Sequence, residues 1–131
     1  VSTTFTIEQA RELIPWLQQT FDAMQPLIGK LENLTHEANR RSRQMRSDGG
    51  GEAEVESTEA QKARQEVERE IRQLVDAIVD KGILIKDPRR GLFDFPYEMQ
   101  GDLVYLCWLA GEPEISYWHT VDSGFAGRQL L

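Results

Sequence analysis

The residue types able to do chemistry crowd into the last third of the chain. The run "GEPEISYWHTVDSGFAGRQ", residues 111–129, holds two glutamates, a Trp-His pair, an aspartate three positions after the histidine, and an arginine in a glycine-punctuated tail. Imidazole with carboxylates suits a divalent metal ion or a proton-transfer step. On that chemistry His119 and Asp122 are candidate ligands, joined by Asp94 or Asp102 from preceding loops. The candidate metal set is His119, Asp122 and Asp94. A wider ligand-binding set adds Arg90, Glu112, Glu114 and Arg128. The plain alternative for His119 is a hydrogen-bonded histidine at the edge of a core. Arg128 suits an anion, or better a charge pair with Asp94 or Asp122. Cys107, in mid-strand, reads as a small buried hydrophobe rather than a nucleophile.

Several activities are disfavoured at once. There is no HExxH pair and no nucleophile elbow, and "GFAGR" has no helix behind it to make a phosphate loop. A single cysteine excludes an intramolecular disulfide and any zinc site needing several thiolates from one chain. The formal net charge of −7 argues against nucleic acid and acidic membranes as partners. Arg40, Arg41, Arg43 and Arg46 are followed by Glu52, Glu54, Glu56 and Glu59, a pattern of a solvated tip that neutralises itself. His36 lies on a polar helix surface. With no apolar run near the roughly 20 residues of a membrane span and no leader-like start, the chain is expected to be cytoplasmic.

The elements that must position these residues follow from periodicity. At 131 residues one domain is expected, residues 1–131, with one core. Thr6 and Gln9 form a capping box ahead of helix one, residues 7–46. Its apolar tracks are Ala10, Leu17, Met24, Leu31, Ala38 and Ile14, Phe21, Ile28, a coiled-coil-like seam that continues across Pro15 and Pro26, so both prolines predict kinks rather than stops. Residues 47–57, with three consecutive glycines, form a flexible loop. Helix two covers 58–81 and ends at Gly82. A long antiparallel two-helix hairpin results, with helix one too long for helix two to cover. Leu13, Trp16, Leu17 and Phe21 therefore need another surface, either the C-terminal region or a second chain. Residues 83–131 form a β-cap and tail, with short strands at "ILIK", "LFDF", "LVYLCWL" and "EISYWHT". The fold class is α+β, a helical hairpin carrying a small antiparallel sheet.

A four-residue turn at 110–113 would pair Leu109 with Glu114, Cys107 with Ser116, Tyr105 with Trp118 and Val104 with His119. Alternation then puts His119 with Val104, Leu106 and Trp108 on the face that rests on the helices, and Cys107 on the other. Glu112 would project outward from the turn, far from His119, while His119, Asp122 and Arg128 would converge at the other end.

The segments "FTIEQARELIPWL" at 5–17, "KDPRRGLFDFP" at 86–96, "VYLCWLAGEPEISYWH" at 104–119 and "GFAGRQLL" at 124–131 resemble an uncharacterised prokaryotic family, the domain of unknown function 2203. The likeness covers nearly the whole chain and is most specific in the last two segments. It implies the fold and the variable break between the helices, and brings no activity. The ending departs from the family in lacking a proline after Gln129.

Three functions fit: an oligomerising binding or interaction module with a polar pocket in the β-cap, a divalent-metal protein or metal-assisted hydrolase using His119 and nearby carboxylates, and a coiled-coil adaptor. The seam predicts a homodimer through the helices. Light scattering should then give about twice the 15.0 kDa chain mass, and a concentration-independent monomer would overturn the expectation.

Overall fold

Thr6 starts the first helix as a capping box requires: its hydroxyl accepts the Gln9 N–H and the Gln9 side chain accepts the Thr6 N–H. In the computed structural model, which describes residues 3–47 and 58–131, α1 spans Ile7–Glu12, α2 Ile14–Ser47 and α3 Thr58–Asp80. The flexible loop expected at 47–57 lies, apart from Ser47, outside the described residues. At Pro15 the helical region is interrupted for one residue rather than ended: Leu13 keeps αR dihedrals and its N–H bonds back to Ala10, and α2 resumes with Pro15 in its first turn, where a missing N–H costs nothing. Pro26, by contrast, sits inside an unbroken α2. Gly82 follows α3 at φ 93°, as a glycine cap does. No described helix is long and apolar enough to cross a membrane.

Five strands follow, β1 Leu84–Asp87, β2 Leu92–Met99, β3 Asp102–Leu109, β4 Tyr117–Thr120 and β5 Gln129–Leu130, in one antiparallel sheet of order β1-β2-β3-β4-β5. The arrangement is α+β, helices first and sheet last. Gln100 and Gly101, both at positive φ, close the β2–β3 hairpin as a two-residue turn whose twist matches the strands. Strand β2 runs longer than "LFDF" suggests. Its ladder continues through Pro96 to Met99, because alternation of large side chains persists across the proline.

Two compact units divide the chain: residues Val1–Ala23 with Leu74–Leu131, and residues Met24–Gln73. The second consists of the remaining parts of α2 and α3, with Met24 and Val67 buried and Leu31, Leu34 and Ile71 half-buried. The first holds the sheet. Its core is one sheet face, Phe93, Phe95, Leu106 and Trp108, all fully buried. Phe5 meets Phe95 edge-on at 5.2 Å and Phe21 meets Phe93 at 6.3 Å, while the Phe5 N–H bonds to the Pro96 carbonyl. Leu17 is fully buried, and Lys81 lies 4.7 Å over the Trp16 ring. The start of the helical region therefore finds its second surface within its own chain. Phe21, half-buried, packs onto this core.

Gly91 shows how close the packing is. At φ 79°, a Cβ there would stand 2.5 Å from the Ala110 Cβ and 2.7 Å from the Phe21 ring. Gly91→Ala combines a left-handed backbone penalty with overpacking and should cost about 2–4 kcal/mol. Urea unfolding measures it, and a loss under about 0.5 kcal/mol would contradict this packing.

Candidate functional site

The face of the sheet turned away from that core is polar, and the pairing register explains why. Observed pairs are Val104 with Thr120, Tyr105 with His119, Leu106 with Trp118 and Cys107 with Tyr117, one residue displaced from the pairing a four-residue turn would give. Strand β4 begins only at Tyr117, so residues 110–116 form a longer connection. Glu112 causes this. Its Oε1 accepts the Leu109 N–H at 2.6 Å, and its carbonyl accepts the Trp108 Nε1–H at 3.0 Å, folding the loop back on the end of β3. Because side chains alternate, a one-residue slip reverses every face. His119 thus shares a face with Tyr105 and Cys107 instead of resting on the helices.

Strand β2 completes the row. Asp94 pairs with Cys107, and Pro96 with Tyr105, so Asp94, Cys107 and His119 stand together on three adjacent strands. Their donor atoms all lie within 4.8 Å of one another, and Cys107 is fully buried while the Asp94 and His119 side chains are 1% and 3% exposed. His119 Nε2 is 3.0 Å from both Asp94 carboxylate oxygens, and Nδ1 is 2.7 Å from the Thr120 carbonyl. A carbonyl only accepts, so Nδ1 carries a proton and donates it. Nε2 then faces the Asp94 carboxyl group, a contact that takes one shared proton or a metal ion. Cys107 Sγ stands beside the same carboxylate, within 4.8 Å. Burial first, and Asp94 second, push this thiol up from 9.0 to about 12, with Arg128 acting against them.

A second polar group borders the first. Arg128 Nη2 donates to Glu112 Oε1 at 2.6 Å, to Oε2 at 2.9 Å and to the Cys107 carbonyl at 3.3 Å. Its guanidinium stacks 4.0 Å from the Tyr117 ring and 4.8 Å from Phe125, whose ring also meets Arg90 at 5.1 Å. Among the described residues Arg128 Nε is buried with no hydrogen-bond partner, a desolvation cost of about 1–3 kcal/mol.

The candidates therefore separate. Asp94 and His119 meet. Arg128 pairs with Glu112, not with Asp94 or Asp122, since the fold-back of Glu112 brings its carboxylate inward rather than outward. Glu114 is exposed and only 4.0 Å from Arg11 Nε, at the surface. Asp122 is exposed and lines an open groove with Asp102, Leu103 and Trp118, so it does not join His119. Arg90 is exposed apart from its contact with Phe125. Cys107 is the residue that sequence reasoning missed. The available signal was Asp94 itself, a charge between Phe93 and Phe95 that demands polar company on its own face.

The thiol shift carries a sign. Below pH 9 both folded and unfolded chains hold the proton; above it the unfolded chain releases the proton first, so stability falls from about pH 9 towards pH 12. Metal-free protein should lose more urea resistance between about pH 8 and pH 11 than Cys107→Ser, and equal losses would contradict the assigned burial of the thiol.

No curated protein and no solved structure matches the chain. A family described as "Uncharacterized conserved protein (DUF2203)" matches residues 3–131, which takes in both helical regions, the whole sheet and every residue of the polar face. The chain belongs to that family.

Proposed function

We propose that this protein binds a divalent metal ion of zinc type through His119 Nε2, Cys107 Sγ and the Asp94 carboxylate. The observation that carries the reading is the orientation of His119. Its Nδ1–H is fixed on the Thr120 carbonyl, which aims the Nε2 lone pair at a carboxylate and a thiol. A backbone carbonyl on the second ring nitrogen is the usual support of a metal-ligating histidine. Thiolate, imidazole and carboxylate together suit a borderline-soft ion better than magnesium or calcium. Tetrahedral zinc with bonds of about 2.0–2.3 Å separates its donors by roughly 3.3–3.8 Å. The donors stand from 3.0 Å up to 4.8 Å apart, so small side-chain rotations seat an ion. Three protein donors leave a fourth position, but their deep burial favours retention of an ion over turnover of a bulky substrate.

Metal analysis of protein purified without a histidine tag should find up to one equivalent, and calorimetry of the stripped protein should give one site for Zn²⁺. Loss of a ligand in Cys107→Ser or His119→Ala should weaken binding by at least about 100-fold. Asp122→Asn should leave it unchanged. Co²⁺ should show a thiolate charge-transfer band that Cys107→Ser removes. Absence of Zn²⁺ and Co²⁺ binding by the folded wild-type chain would end the reading.

A further inference from the structure

The three donors are 0–3% exposed, so no ion, water or reagent reaches them while the sheet is closed. Something must lift. Strands β1 to β4 are joined by runs of ladder pairs, and β2 and β3 pair along their whole length. The last residues are held far more lightly. Strand β5 pairs at only two positions, Tyr117 with Leu130 and Trp118 with Gln129, one further backbone bond joins Leu131 to Ser116, and Gln129, Leu130 and Leu131 are all exposed. Yet side chains just ahead of β5 reach the polar side of the sheet. Phe125 touches Arg90 beside β2, and Arg128 reaches the Cys107 carbonyl, Glu112 and Tyr117.

We propose that residues 124–131 form a strap over the Asp94, Cys107 and His119 site, which opens without global unfolding, with the Glu112–Arg128 pair as its latch. Two features favour an opening of this kind. The closed strap buries the Arg128 Nε–H without a partner, a penalty that opening to water removes. Gly124 sits at φ 63° with open space where a Cβ would be, so the strap has a joint at its root. Local openings of lightly held segments are a general property of folded chains. The strap would set how fast an ion enters and leaves. The identity of the occupant rests on the metal reading, whereas the opening does not.

Cys107 reports the opening, since it is buried, its carbonyl is bonded to Arg128, and it is the only thiol. Its alkylation by iodoacetamide is measured in metal-free, folded protein at increasing sub-denaturing urea, with and without added Zn²⁺. A strap gives labelling whose urea dependence is much shallower than that of global unfolding, because little surface is exposed. Arg128→Gln and Glu112→Gln should each label at least about tenfold faster at the same shallow slope. Wild-type labelling that follows the full urea dependence of global unfolding overturns the strap, whatever the variants do. Shallow labelling that Zn²⁺ suppresses supports strap and metal together. Shallow labelling indifferent to Zn²⁺ supports the strap and overturns the metal reading.

Discussion

A carboxylate in the middle of a buried strand is the constraint around which the sheet is organised. Asp94 lies between Phe93 and Phe95, both fully buried on the opposite face, so it cannot turn to solvent without dismantling the core. A buried charge is tolerated only with a paired charge or full hydrogen bonding. His119 and Cys107 supply that company, and they can do so only in one register of β3 and β4. Shifted by one residue, the histidine would enter the aromatic face, and Asp94 would keep only the thiol. Hydrophobic burial and charge compensation therefore select the same pairing, which is the agreement between levels that gives a fold a unique minimum.

The second ion pair extends the logic to the loop and tail. Glu112 satisfies the Leu109 N–H at the end of β3 and simultaneously holds Arg128, so a single carboxylate shapes the β3–β4 connection and fastens the C-terminus. With side chains 23% and 12% exposed, this pair is screened less than a surface bridge and has charge-assisted geometry. The arginine also lies over Tyr117, which adds a cation–π contact to the fastening. The two faces of the sheet consequently differ in kind. One is an aromatic core against the helical start; the other carries the buried polar row, with Arg128 bonded to the Cys107 carbonyl beside it.

How much of this the sequence discloses depends on whether a signal is local. Capping by Thr6 and Gln9, the two long helices and the glycine stop at Gly82 are written in residues a few positions apart, and they could be read directly. Asp94 and His119 were recognisable as partners by type. Their common neighbour was not, because a side chain's face depends on the loop length before β4. That length is decided by Glu112 folding back onto Leu109 and Trp108, a tertiary preference invisible to turn statistics. The same error misdirected Arg128 towards aspartates and Glu112 towards solvent. The exact place of the interruption at Leu13 was not legible for a related reason: apolar periodicity continues across it, because Leu13 keeps αR dihedrals and α1 and α2 bury apolar residues in phase.

The proton inventory of the polar row explains how such a site can coexist with a stable fold. Zinc fingers depend on their ion for folding, since without it their thiolates and imidazoles have nothing to bind. Here a proton shared between Nε2 and Asp94 fills the position that a metal ion would take. Proton-filled, the row contains one proton shared by imidazole and carboxylate together with a neutral thiol, with no net charge. Metal-filled, it contains neutral imidazole, carboxylate, thiolate and a divalent cation, again with no net charge. Exchange of two protons for one ion leaves the buried row electrically balanced, so neither state places an uncompensated charge in the low-dielectric interior. The aromatic core on the opposite face holds the sheet without any contribution from an ion, so folding would not depend on one.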